Sequence, residues 1–196
     1  MKGLRTGENP ARWKGHLELL LPKRQTLTRG HHPAMPYTEI SEFVHEVRQS
    51  NDLSYRALEF TILTAARTGE VIKATRPEFD LENRLWNKPA AHMKGKTPKP
   101  HMVTLCARAV KIAALLLPEE PGARVFPLSN NAMLAATDEL GRGQFTVHGF
   151  RSTFKDWASD ETEFQNEIIE LALAHTVGNR SSRPIDGARR SRSGSL

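Results

Sequence analysis

A mainly α-helical α+β fold with a small antiparallel sheet is expected from three features of the chain. Apolar residues recur at helical spacing in several separate segments, two short β-prone runs flank a Lys-, Gly- and Pro-rich connection, and turn-forming residues punctuate the rest. The 196 residues, 38% of them hydrophobic, suffice for one domain with a real core and tails at its ends.

Residues 1–36 carry one short apolar patch, Leu17 to Leu21, among basic and turn-forming residues, too little for a core of their own. They read as a linker or the remnant of a preceding domain. From Thr38 the pattern changes: Ile40, Phe43, Val44 and Val47 are helically spaced behind a Thr38 cap, and Leu58, Ile62, Ala65 and Ala66 mark a second helix. Strands are expected in "RLWNKP" (84–89) and "HMVTL" (101–105), joined as a hairpin. Helices return in "CARAVKIAALLL", "NNAMLAATDEL", the segment after His148 and "NEIIELALAH", with Gly141 and Gly143 as breakers. From Arg180 the chain is rich in arginine and has only Ile185 and Leu196 as larger aliphatics, so residues 180–196 are expected to be a disordered tail.

The net charge of +6 and pI near 9.7 favour an anionic partner, with nucleic acid the leading candidate. No 18-residue apolar run offers a membrane span, and no signal-peptide pattern opens the chain. Cys106, the one cysteine, is read as an ordinary half-buried residue; an internal disulfide and a cysteine-based zinc site are excluded, which fits a reducing cytoplasm.

Four short stretches carry candidate chemistry. In "TVHGFRSTFKDWA" (146–158), Ser152, Phe154, Trp157 and Ala158 recur with amphipathic spacing, which puts His148 and Arg151 on the first turn of a helix. Such a turn attracts phosphate, an arginine grips two of its oxygens, and a histidine donates a hydrogen bond or moves a proton. The plainer alternative is a His148 cap and an Arg151 surface ion pair. In "LTAARTGEV", Glu70 follows Arg67 by three and can orient its guanidinium, or the two form a mere surface pair. Lys94 in "MKGKTPKPH" can reach into a groove from a hairpin loop, or be a solvated loop charge. His175 in "LALAHTVGN" closes an apolar helix, where a histidine often only interacts with the dipole.

The order of "AARTGE", "MK", "HGFRSTF" and "LAHTVG" resembles the catalytic domain of the tyrosine recombinases, in particular the prophage integrases of genomic islands, from about Glu8 to Asn179. That family cuts DNA without metal or other cofactor: a tyrosine attacks a phosphodiester, holds the strand as a 3′-phosphotyrosine, and the released 5′-hydroxyl later re-attacks. The resemblance implies a linker or core-binding remnant at 1–36, a catalytic domain at 37–179 and double-stranded attachment-site DNA as partner, in a bacterial cytoplasm. It implies that Arg67 and Arg151 clamp the scissile phosphate, that His148 and His175 add hydrogen bonds and proton handling, and that Glu70 supports them. Lys94 would be the general acid for the departing 5′-oxygen, with Lys96 a substitute because the loop is longer than expected.

The nucleophile of the family lies about ten residues beyond the histidine matching His175, and here that position is Ile185. The chain's tyrosines, Tyr37 and Tyr55, do not match the motif. Codons permitted for Pro184 to Gly187, CCT ATC GAC GGG, read Tyr-Arg-Arg in a shifted frame, and the residues after them can yield a family-like ending. A frameshift that replaced the nucleophile segment is therefore expected, leaving an integrase catalytic domain that is inactive and monomeric in solution, although the family assembles as tetramers on DNA. The rival reading is a DNA-binding remnant that occupies or blocks recombination sites. A nuclease using His148 as base is disfavoured, because no carboxylate cluster for a metal accompanies it.

Overall fold

The computed structural model of the protein describes residues 32–93 and 98–175. A 3-10 turn at Tyr37–Glu39 leads into helix α1, Ile40–Val47, which buries Phe43 and Val47 one turn apart and turns Glu42 and His45 to solvent. Thr38 lies inside the 3-10 turn rather than at a helix N-cap, and neither element has a side-chain cap there. Helix α2, Leu53–Thr64, is the centre of the body: it buries Tyr55, Ala57, Leu58, Phe60, Thr61 and Thr64, and packs on α1 and on three later helices. With polar neighbours out of reach, Thr61 and Thr64 donate to the carbonyls one turn back, Ala57 and Phe60, both at 2.7 Å.

Glu59, on the same helix, is fully buried. Its carboxylate accepts from Arg48 Nε at 2.6 Å and from a two-pronged Arg108 at 2.8 Å on each oxygen, with Arg56 at 3.4 Å. Ala65 and Ala66, expected within this helix, follow it: Ala65 adopts φ 47°, ψ 30°, a left-handed cap that stops α2 and reverses the chain. The short helix α3, Thr68–Val71, starts immediately afterwards.

Strands β1, Phe79–Asp80, β2, Leu85–Lys88, and β3, His101–Thr104, form an antiparallel sheet in that order, with Trp86 opposite Phe79 and Val103, and Lys88 opposite His101. The expected hairpin is present. β1 was not expected, since two residues are too few for an alternating pattern. Period-two alternation on β2 turns Trp86 and Lys88 inward and Asn87 outward. Trp86 stacks on Phe79 at 5.6 Å, meets Phe60 at 5.3 Å and donates Nε1–H to buried Glu78 at 3.0 Å, fastening the sheet to α2.

Helix α4, Ala107–Leu116, buries Ala109, Ile112 and Ala113, while Cys106 is exposed, not half-buried, because it occupies the N-cap. Helix α5, Ala132–Glu139, packs Met133 and Ala136 on α2 and ends before Gly141, which takes φ 70° in the turn. Helices α6, Gly149–Glu161, and α7, Asn166–Ala172, complete the described body and pack on each other. The buried face of α6 is Phe150, Arg151, Thr153 and Ala158; Trp157, on the expected apolar stripe, is 43% exposed.

The sequence boundary at residue 36 falls inside this body. Met35 is buried, its carbonyl accepts from Thr153 Oγ1 at 2.6 Å, and the Pro33 carbonyl accepts from Thr146 N at 3.1 Å. The close approach needs a glycine: a Cβ on Gly149 would lie 2.1 Å from the Pro33 carbonyl oxygen. Gly149→Ala is therefore expected to displace residues 33–35 and to destabilise the fold by about 1–3 kcal/mol, the usual scale of overpacking, read as a lower midpoint in urea with an unchanged slope.

Candidate active site

The turn after α2 and the start of α3 build one wall of a cleft. Arg67 is the N-cap of α3, and Glu70, its third residue, returns its side chain to the Arg67 backbone N–H at 3.2 Å while accepting from Arg67 Nη1 at 2.7 Å. Sequence spacing places the pair at the end of the second helix; the Ala65 turn instead puts it at the mouth of the next, where a carboxylate both caps the helix and holds the guanidinium. Arg67, Thr68, Glu70, Lys73, His92 and His148 line the resulting cleft of about 420 Å³.

His148, exposed, is the N-cap of α6 without a side-chain cap bond, and its ring meets that of His32 edge-on at 4.6 Å. Arg151, one turn further on, is 4% exposed and is no surface ion-pair partner. Nη1 donates to the Ala65 carbonyl, and Nη2 donates to the Leu173 carbonyl at 2.5 Å and to His175 Nε2 at 3.1 Å; Nε is buried without a hydrogen-bond partner. Burial, followed by repulsion from Arg67, pushes its pKa down to about 10, so that it stays charged at neutral pH.

His175 follows α7 through Ala174, which has φ 51°. Because Nε2 accepts from Arg151, Nδ1 carries the proton and donates to Glu170 Oε2 at 2.5 Å. Glu170 also accepts from Lys155; that bond, opposed by partial burial and aided by His175, holds the Glu170 carboxyl below its usual range. Arg67 and His148 thus share a cleft, and Arg151 and His175 are bonded within reach of the Arg67 charge. Lys94, Lys96 and Ile185 lie outside the described residues, as does the tail 180–196.

Several basic side chains were not singled out from sequence. Lys73 and His92 line the cleft, and His92 Nδ1 stands 3.2 Å from Glu78 Oε1, off-line for a hydrogen bond. Lys88 Nζ, 3% exposed, reaches Glu70 Oε2 at 2.8 Å, and His101 beside it is held below its usual pKa by burial and by the Lys88 charge. The inward face of a strand is the signal that could have found Lys88: a lysine two residues after a buried tryptophan shares its side of the sheet. Among the described residues no group of three His, Cys, Asp or Glu side chains is placed to hold a metal ion, and no helix is long and apolar enough to cross a membrane.

The fold has solved counterparts. A XerA recombinase superposes with a TM-score of 0.58 at 16% identity, covering 82% of this chain and 61% of that one. A Tn1549 transposon integrase, solved in complex with circular intermediate DNA, does so with a TM-score of 0.53 at 12% identity, covering 74% of this chain and 59% of that one. The described body has the fold of the tyrosine-recombinase catalytic domain. Among curated sequences, prophage integrase IntZ of Escherichia coli K12 is 30% identical over 156 residues, 74% of this chain and 38% of that protein. Prophage integrase IntA of the same organism is 29% identical over 163 residues, 77% and 39%. The integrase of enterobacteria phage P4 is 25% identical over 174 residues, 76% and 39%. The chain belongs to the phage-integrase family of tyrosine recombinases and spans about two-fifths of the length of these relatives. No family model matches it.

The charge balance makes an acid prediction. Burial alone would raise the Glu70 pKa, but the Lys88 charge and the bonds from Lys88 and Arg67 outweigh it and leave the carboxyl below its ordinary 4.5. A depressed folded pKa contributes stability that is complete above the unfolded value and is lost as pH falls through the folded one. Melting temperatures are expected to hold from pH 7 to about 5 and to fall below pH 4, with Glu59 and Glu170 adding to the same loss. Glu70→Gln, which leaves Lys88 as an unpaired buried cation, should cost about 3–5 kcal/mol at pH 7 and flatten the acid limb of the profile.

Proposed function

We propose that the cleft is the phosphate site of a phage-type, site-specific DNA strand transferase whose nucleophile position is occupied by Ile185, so that the chain binds DNA but does not cleave it. The observation that supports this reading is a basic cleft lined by Arg67 and His148, with the bonded pair Arg151 and His175 beside it within range of the Arg67 charge and the Arg151 Nε buried and unpartnered. Donors fixed in advance matter most where charge grows, on the non-bridging oxygens of a phosphate under attack.

In the family's reaction a phenolic oxygen forms a bond to phosphorus, the bond from phosphorus to the 5′-oxygen breaks, and that oxygen takes up a proton. Arg67 and Arg151 stabilise the phosphorane charge, His148 donates to its oxygens, His175 holds the Arg151 guanidinium through Nε2, and Glu70 keeps Arg67 in place. Lys94, or Lys96, delivers the proton. With isoleucine at 185 no bond to phosphorus can start, although the stabilising groups remain. The catalytic unit of residues 37–179 takes in Pro33 to Met35 as well, the residues ahead of it are a linker or the remnant of a core-binding domain, and the arginines of 180–196 supply further phosphate contacts. The chain is a monomer in solution, and the frameshift accounts for the altered ending. A DNA-occupying remnant that blocks recombination sites is the same molecule viewed through its binding alone.

The binding follows from phosphate neutralisation, so DNA affinity should fall steeply between low and physiological salt. Arg67→Ala should weaken binding by about 1–3 kcal/mol at low salt, the scale of charge-assisted hydrogen bonds; fluorescence anisotropy with unchanged affinity would remove Arg67 from the site.

The chemistry has its own test. A suicide duplex carrying the attachment sequence should be shifted by the native chain on native gels and leave no covalent adduct on denaturing gels. Replacing residues 180–196 with the shifted-frame Tyr-Arg-Arg ending should produce the adduct, and adding a core-binding domain should raise its yield. If the repaired, full-length protein binds but forms no adduct, the assigned residues are not a competent catalytic set.

A further inference from the structure

Lys88 is the most deeply buried cation of the described residues that no step of the proposed chemistry uses. It arrives there by strand geometry: the alternation that buries Trp86 buries the side chain two positions on, and the Lys88 stem lies along the indole with Nζ 5.1 Å from the ring centroid. Side-chain exposures of 3% for Lys88 and 2% for Glu70 show that neither end of their 2.8 Å bond is replaceable by bulk water. Burial moves the Lys88 pKa down, while Glu70 opposes the shift; Arg151 and Arg67 also face the ammonium.

The carboxylate of Glu70 is held at three points. Oε1 takes Arg67 Nη1 at 2.7 Å, and Oε2 takes both the Arg67 backbone N–H at 3.2 Å and Lys88 Nζ at 2.8 Å. An arginine and a carboxylate left to themselves favour the two-pronged fork, which occupies donors on both arms of the guanidinium. Here the ammonium on Oε2 prevents that fork, and a single Nη1 bond leaves the remaining Arg67 donors for the cleft. Lys88 itself, at 3% exposure, is out of reach of any ligand there.

We propose that Lys88 is a positioning residue of the phosphate site: by holding Glu70 Oε2, it restricts Glu70 to one bond on the Arg67 side chain and keeps the other guanidinium donors available to an anion. This rests on the reading of the cleft as a phosphate site. It assigns a second task to the inward face of β2, so that the sheet sets the geometry of a residue contributed by the turn after α2.

The test is a titration of the intact chain with inorganic phosphate, followed through the Arg67 Nε–H resonance by NMR at a temperature below the unfolding transition of every variant. Lys88→Met should weaken phosphate about tenfold, the scale of a lost charge-assisted bond, and move the Arg67 resonance in the phosphate-free protein. Lys88→Arg, which retains charge and donors, should stay within about twofold of wild type. Lys88→Gln keeps a neutral donor on Glu70; it covers the case in which Lys88→Met does not fold and should weaken phosphate by about threefold. A role in stability alone would lower the melting temperature and leave both readings unchanged. A folded Lys88→Met or Lys88→Gln protein with wild-type phosphate affinity and an unmoved Arg67 resonance overturns the inference while the phosphate site stands. Wild-type protein whose Arg67 resonance does not respond to phosphate overturns the site reading itself, and the inference with it.

Discussion

Arg151 crosses from α6 to the chain ends of α2 and α7, donating to the Ala65 carbonyl at one and the Leu173 carbonyl at the other. An ion with 4% exposure has lost nearly all its hydration, at a cost of several kcal/mol, and the two carbonyls and His175 only partly replace it. The depressed pKa records that imbalance. The same tie explains two backbone oddities. Ala65 and Ala174 both hold positive φ without being glycine, at roughly 1–2 kcal/mol each, because each sits in the turn that brings Arg151 its partner carbonyl or ring. The cleft exists because these turns are held, and they are held by the guanidinium that lies beside it.

Around this tie the carboxylates are each already engaged. Glu59 serves Arg48, Arg56 and Arg108; Glu70 serves Arg67 and Lys88; Glu170 serves Lys155 and His175; Glu78 accepts from Thr75 and Trp86. Within the cleft, Glu70 neutralises Arg67 through one side-chain bond, and the charges of Arg67 and Arg151 still oppose each other.

The parts legible in the sequence were those with a repeating pattern or a local spacing. The helices from Ile40, Ala107, Ala132 and Asn166 announced themselves by period, and the β2–β3 hairpin by its two β-prone runs. Arg67 with Glu70, and His148 with Arg151, were found as pairs, but what each pair does depends on distant chain. Arg151 reads as a phosphate grip or as a surface ion pair, and neither reading includes its burial, because nothing within four residues of it predicts carbonyls from Ala65 and Leu173. Lys88 was not singled out because its partner, Glu70, is eighteen residues away on an element whose start depends on the Ala65 turn. Residues 32–36 read as linker because Pro33 and Met35 are fixed through their backbone carbonyls, and carbonyls carry no sequence signature.

The groups that would stabilise a phosphate under attack are also those that hold the described fold together. Removing Arg151 would strand two carbonyls, and removing Glu70 would strand Lys88, so both are protected by stability whether or not chemistry follows.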